Sequence, residues 1–152
     1  MASTTQFIEA SPAEIFAVLA DGWTYSNWVV GTSHIRAVDA GWPAVGSRLH
    51  HAVGAWPLLT RDHTVVEAVQ PDEQIVLIAS GSRMGAARVE ITLQPSDGGC
   101  LVTMTESPMS GPAKWLHNPL QDAMLHRRNR ETLQRLRATV RRLTAPAELT
   151  GE

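Results

Sequence analysis

The chain has 152 residues, 43% of them hydrophobic and 18% charged, with a formal net charge of −2. That balance excludes a disordered chain and fits one globular domain that buries roughly 70% of its unfolded surface. No apolar run is long enough for a membrane span, and the start MASTTQFIEA has neither the basic residues nor the apolar stretch of a signal peptide.

The pattern opens with a weakly alternating strand over residues 3–9. Ser11-Pro12-Ala13-Glu14 follows as a capping box with proline at the first helical position. It predicts a helix to about residue 20 that buries Ile15, Phe16 and Leu19. Residues 21–28, with Trp23, Tyr25 and Trp28, read as a second short helix, too short to stand without tertiary support.

From residue 33 the pattern changes to short runs separated by Gly, Pro, Asp and Asn. Strands are expected near 33–39, 46–54, 59–70, 74–81, 86–94 and 99–107. The tight turns between them imply antiparallel pairing. The clearest alternation sets Ala87, Val89, Ile91 and Leu93 against Arg88, Glu90, Thr92 and Gln94. In the next strand Cys100, Val102, Met104 and Glu106 share a face. One covered and one wet face suits an antiparallel sheet with helices on one side. Residues 108–117, PMSGPAKWLH, form a loop whose Met109 and Trp115 are candidates for a cavity rim.

Residues 118–143 read as one long amphipathic helix. At about 100° per residue, Leu125, Leu136, Val140 and Leu143 fall in one stripe, with Leu133 at its edge. Arg127, Arg128, Arg130, Arg135, Arg137, Arg141 and Arg142 all fall outside it. The first half of the stripe also holds Asn118, Asp122, Asn129 and Thr132. Unpartnered burial of such groups is costly, so this half is expected to face a cavity and the second half to close a core. Residues 144–152 are expected to be a flexible tail after a single domain over residues 1–143.

Charge is uneven along the chain. Residues 1–125 carry 12 acidic and 6 basic side chains, whereas 126–143 carry seven arginines and one glutamate. The arginines read as a solvated helix face, with Glu131 four residues from both Arg127 and Arg135. No aromatic side chains are interleaved with them for base stacking. Nucleic acid is therefore not an expected partner, while an acidic protein or membrane surface stays open as a salt-sensitive alternative. Cys100 is the single cysteine, which excludes an internal disulfide and fits a reducing, cytoplasmic setting. A buried, inert thiol is expected there.

Taken in order, strand, helix, short helix, six strands and long helix, the chain resembles the START/Bet v1-like (SRPBCC) superfamily, in its polyketide cyclase/dehydrase-like branch. The stretches that carry the resemblance are Ile8-Glu9-Ala10-Ser11-Pro12-Ala13-Glu14-Ile15-Phe16, Trp28, the turn Pro71-Asp72 before Ile75-Val76-Leu77, Val89-Glu90-Ile91-Thr92-Leu93, and Arg128-Asn129-Arg130-Glu131-Thr132-Leu133-Gln134-Arg135-Leu136. Gly99-Cys100 stands where many relatives have Gly-Thr. The resemblance implies an α+β helix-grip fold: a curved seven-stranded antiparallel sheet wrapped around the long C-terminal helix, with two short helices after the first strand. It implies an apolar cavity between them but no single activity.

The leading expectation is binding of a small hydrophobic or amphipathic ligand, such as a lipid, quinone or polyketide-like molecule. The alternatives are a cyclase or dehydratase using acid/base groups in that cavity, and an interaction module working through the arginines. Candidate ligand contacts are Trp28, His51, Trp56, Met104, Met109, Trp115, Leu125 and Asn129. Candidate acid/base groups are His51, on the more apolar face of its strand, and Glu106 with Asp122, which flank one loop and could approach each other. Each has a plain structural alternative, a satisfied core histidine or a carboxylate in water. The six histidines show no zinc-type spacing. No metal or cofactor is expected, and a homodimer is left open.

Overall fold

The computed structural model describes residues 2–53, 60–81, 85–110 and 118–145. Trp56, Trp115 and all but the first two residues of the expected tail lie outside these. The elements follow as β1 (Ala2–Ile8), α1 (Pro12–Leu19), a 3-10 turn (Gly22–Thr24) running into α2 (Tyr25–Trp28), β2 (Thr32–Val38), β3 (Arg48–Val53), β4 (Thr60–Gln70), β5 (Gln74–Gly81), β6 (Gly85–Ser96), β7 (Gly99–Pro108) and α3 (Pro119–Thr144). The strands form one seven-stranded sheet in the order β1-β7-β6-β5-β4-β3-β2, antiparallel throughout. This is the helix-grip arrangement that the resemblance implies.

Both main helices start by the same device. Ser11 Oγ accepts from the Glu14 amide at 3.1 Å, and the Glu14 carboxylate accepts from the Ser11 amide at 3.1 Å. Asn118 Oδ1 accepts from the Leu120 amide at 2.9 Å. In each case proline occupies the next position, where a missing N–H costs nothing.

The β6–β7 hairpin turns on Asp97-Gly98, where Gly98 has φ +79°, a conformation that favours glycine. Strand β6 runs through Pro95 and Ser96, beyond the end expected at residue 94. Strand β5 pairs no further along β6 than Thr92, so Pro95 pairs only with β7, an edge position that proline tolerates. At the start of β7, Gly99 lies against β1. A Cβ there would sit 2.2 Å from the Ile8 carbonyl oxygen, so only glycine allows this approach.

Side-chain alternation and register define the concave face. One end is closed: Ile8, Ile75, Ile91, Leu93, Cys100 and Val102 are buried there, and Leu133, Leu136 and Val140 of α3 are wholly buried in the same core. Tyr25, Trp28 and Trp42 extend this core, with the Tyr25 ring centroid 4.4 Å from Trp28 and 5.6 Å from Trp42. Toward the other end the register sets Thr64 beside Ala79, Ala79 beside Ala87, and Val89 beside Glu106. Here Ala79, Ala87 and Val89 are only half-buried. The connections at 54–59, 82–84 and 111–117 lie outside the described residues.

Candidate functional site

Two ion pairs fix how α3 crosses the sheet. Arg137 donates from Nε and Nη2 to the Glu9 carboxylate at 3.0 and 2.6 Å, holding the second half of the helix beside the end of β1. Arg128 Nη2 donates to both oxygens of Glu106 at 2.5 and 2.6 Å, holding the first half over β7. The half-buried end of the sheet therefore faces residues 125–132. Asn129 is 0% exposed and Thr132 2% exposed. Thr132 is satisfied, since its hydroxyl accepts from the Val30 amide at 3.3 Å. Asn129 is not: neither its amide nitrogen nor its oxygen has a hydrogen-bond partner. Leaving such a group buried and unpaired costs about 1–3 kcal/mol.

Strands β3 and β4 supply the facing polar patch. His51 pairs across the ladder with Asp62, and Leu49 with Thr64. Period-two alternation turns His51, Asp62 and Thr64 to the concave side, where all three are buried. His51 Nε2 and the Thr64 hydroxyl lie 2.9 Å apart, and His51 Nδ1 is buried without a partner. Burial lowers the His51 pKa from its usual 6.5. Asp62 opposes this, while Arg36, His63 and His50 add to it. The imidazole is therefore neutral at neutral pH, with one ring nitrogen committed and the other available.

The amino-acid pattern over residues 1–141 matches the family described as polyketide cyclase / dehydrase and lipid transport. The chain belongs to this family. Among solved structures, the Nitrosomonas europaea protein NE0264 is 14% identical with a TM-score of 0.73, covering 95% of this chain and 96% of that one. Ara h 8.0201 is 12% identical with a TM-score of 0.68, covering 91% and 95%. The di-domain ARO/CYC protein StfQ of the steffimycin biosynthetic pathway is 10% identical with a TM-score of 0.69. It covers 95% of this chain, which spans 51% of StfQ. At these identities the likeness shows a shared fold. A comparison with curated protein sequences returned no match.

Within this member of the polyketide cyclase / dehydrase family, the residues singled out from sequence separate into groups. His51, Met104 and Asn129 lie buried on the concave side, with Leu125 half-buried in the helix stripe. Trp28 sits in the closed core, 1% exposed. Its indole N–H donates to the Thr24 hydroxyl at 3.2 Å and its ring packs on Tyr25, which accounts for its burial without a ligand. Met109 follows the end of β7 and is 45% exposed.

The expected approach of Glu106 to Asp122 is not what the structure shows. Glu106 is engaged on both oxygens by Arg128, and Asp122 is exposed in the first turn of α3, where its charge suits the positive end of the helix dipole. Asn118 is the exposed helix cap. Of the four polar residues assigned to the stripe, the buried ones are thus Asn129 and Thr132. The sequence reading passed over Asp62, Thr64 and Arg128. The first two were accessible from alternation in β4, where Asp62, Thr64 and Val66 share a face. Arg128 was not, because its helical angle points to solvent and only its long side chain brings it back to Glu106.

Among the described residues no cluster of His, Cys, Asp and Glu could hold a metal, and no helix is long and apolar enough to cross a membrane. Away from the concave side, an open groove of about 740 Å³ beside Pro12 and the β4–β5 turn is lined by Asp72, Glu73 and Glu90, the last held by Gln74 and Arg88.

Proposed function

We propose that this protein binds a small hydrophobic or amphipathic molecule between the first half of α3 and the half-buried end of the sheet. The observation that carries the reading is the division of one helix stripe. Leu133, Leu136 and Val140 are sealed at 0% exposure, whereas Leu125 one turn upstream of Asn129 is only half-buried, as are Ala79, Ala87 and Val89 on the sheet. Apolar walls with a few polar groups are what ligand sites are made of. Membership of a family whose description includes lipid transport supports the same reading.

Native mass spectrometry of freshly purified protein tests it, followed by denaturation and identification of whatever is released. A discrete co-purified apolar molecule is expected. A protein that arrives empty and takes up no fluorescent apolar probe would remove the reading.

One observation favours a second, enzymatic reading. Of the three acid/base candidates, His51 is the one with an uncommitted nitrogen in a buried, neutral ring. With Nε2–H donating to Thr64, Nδ1 can take a proton from an activated carbon of a polyketide-like substrate and return it to a departing hydroxyl. His51→Gln would then abolish turnover and leave binding. Turnover unchanged in that variant would exclude His51 as the base.

A further inference from the structure

The outer face of the sheet, away from α3, carries a pair of histidines that the concave side does not use. His50 and His63 are partners across the β3–β4 ladder. Alternation turns both to the side opposite His51 and Asp62. The kind of pair matters. The Val66 amide donates to the Ser47 carbonyl at 3.1 Å, which makes Ser47 with Val66 a hydrogen-bonded position of this ladder. Hydrogen-bonded and non-hydrogen-bonded positions alternate, so Leu49 with Thr64 and His51 with Asp62 are of the first kind. His50 with His63 is of the second kind. In such pairs the Cα atoms stand about 4.5 Å apart and the side chains run closest.

Both histidines are half-buried. The next residues in their row are Ala37 beside His50 and Ser80 beside His63, side chains too short to cover an imidazole. His50 Nε2 lies 3.4 Å from Asp39 Oδ1. The other oxygen of Asp39 accepts from the Arg48 amide at 2.9 Å, which fixes the carboxylate in place. A carboxylate beside one ring nitrogen selects the tautomer that carries its proton there and leaves the other nitrogen as an acceptor. Metal-ligating histidines are commonly supported in this way.

We propose that His50 and His63 chelate an exchangeable divalent transition-metal ion on the outer face of β3 and β4. Imidazole donors select copper, nickel or zinc over magnesium and calcium, which take oxygen, and the order of affinity places copper first. Clusters of three or more donors are absent among the described residues. The pair therefore supplies two positions, and water supplies the rest, as suits an ion that comes and goes. The two histidines lie on different strands, so no short spacing motif reveals them. The site is independent of the binding reading for the concave side.

The test uses the whole chain, whose six histidines each give an imidazole Hε1 proton signal. Substoichiometric CuCl2 broadens the signals of ligating rings. Two signals are expected to broaden first, those missing from the spectra of His50→Ala and His63→Ala. Calorimetric titration with NiCl2 then gives affinities. Each variant is expected to bind about tenfold more weakly or worse, because the second ligand no longer closes onto an ion already held by the first. His126→Ala, on the exposed side of α3, is expected to leave the affinity unchanged, and MgCl2 to give no binding. Should His63→Ala fail to fold, His63→Gln replaces it. Equal broadening of several histidines, absence of NiCl2 binding, or an affinity unchanged in either variant overturns the chelating pair.

Discussion

His51 is held in a state that water would not choose. Its side chain is buried, its nearest charged groups are Asp62 on β4 and Arg36 on β2, and its histidine neighbours are His50 and His63. Burial outweighs the pull of Asp62, so the folded-state pKa lies below the ordinary 6.5. The unfolded chain then binds more protons than the folded one as pH falls through that ordinary value. Stability from keeping His51 neutral is therefore complete above about pH 6.5, declines as pH drops toward the folded-state pKa, and levels off below it. Melting curves between pH 7.5 and 5.5 are expected to fall more steeply for the wild type than for His51→Gln. Parallel curves would show that His51 is not held neutral by the fold. Cys100 makes a simpler prediction at the same scale. It is 0% exposed and burial raises its pKa, which withholds the thiolate. A thiol reagent at pH 8 is expected to leave Cys100 untouched in the native protein and to titrate one thiol in denaturant. Rapid native labelling would mean that the β1–β7 end of the core opens readily.

At the scale of elements, α3 is two helices in one. Leu136 lies in the sealed half, so Leu136→Ala is expected to cost ~2–5 kcal/mol, as large-to-small changes in packed cores do. Leu125 lies half-buried in the other half, and Leu125→Ala is expected to cost well under that while weakening ligand binding. Urea unfolding of both variants checks the contrast, and equal losses would mean that α3 packs uniformly. Two glycines separate in the same manner. A Cβ at Gly99 would sit 2.2 Å from backbone, the Ile8 carbonyl oxygen, whereas one at Gly22, in the 3-10 turn, meets side-chain methyls of Leu49 and Val38 at 2.8 and 2.9 Å. Gly99→Ala should lower the melting temperature further than Gly22→Ala. Much of this layer is legible in the amino-acid order, because it rests on local signals. Ser11-Pro12 and Asn118-Pro119 announce helices, Asp97-Gly98 announces a hairpin, and alternation in β6 and β7 announces which face is covered. What escapes is set by reach and by neighbours. The Arg128–Glu106 pair depends on the crossing angle of α3, and the contact of His51 with Thr64 depends on which strand lies beside β3. Neither is encoded within a window of a few residues.

For the whole molecule the decisive property is asymmetry along the sheet. The closed end holds the large, fully buried side chains, and the end beneath the first half of α3 holds small side chains and unsatisfied polar atoms. Charge follows a different axis. Arg128, Arg135 and Arg137 are engaged by Glu106, Glu131 and Glu9, so the basic face of α3 is partly neutralised by the protein itself, and a helix that works mainly as an anionic-surface binder would not need that. These two axes predict different places for a response to ligand. A molecule bound on the concave side stabilises only the folded state, by about 2.7 kcal/mol at a hundredfold excess over Kd. For a chain of this size that is a rise of roughly 5–11 °C in melting temperature. The rise should be accompanied by slower amide exchange in β3, β4 and residues 119–132, the segments that face the ligand. Exchange in β7 near Cys100 and in the second half of α3, already governed by the sealed core, should change little. The measurement is hydrogen exchange with and without the co-purified molecule. Protection that grew instead along Arg127, Arg130, Arg141 and Arg142, and vanished with added salt, would put the binding surface on the exposed back of the helix. The concave side would then be a loosely packed core and not a site.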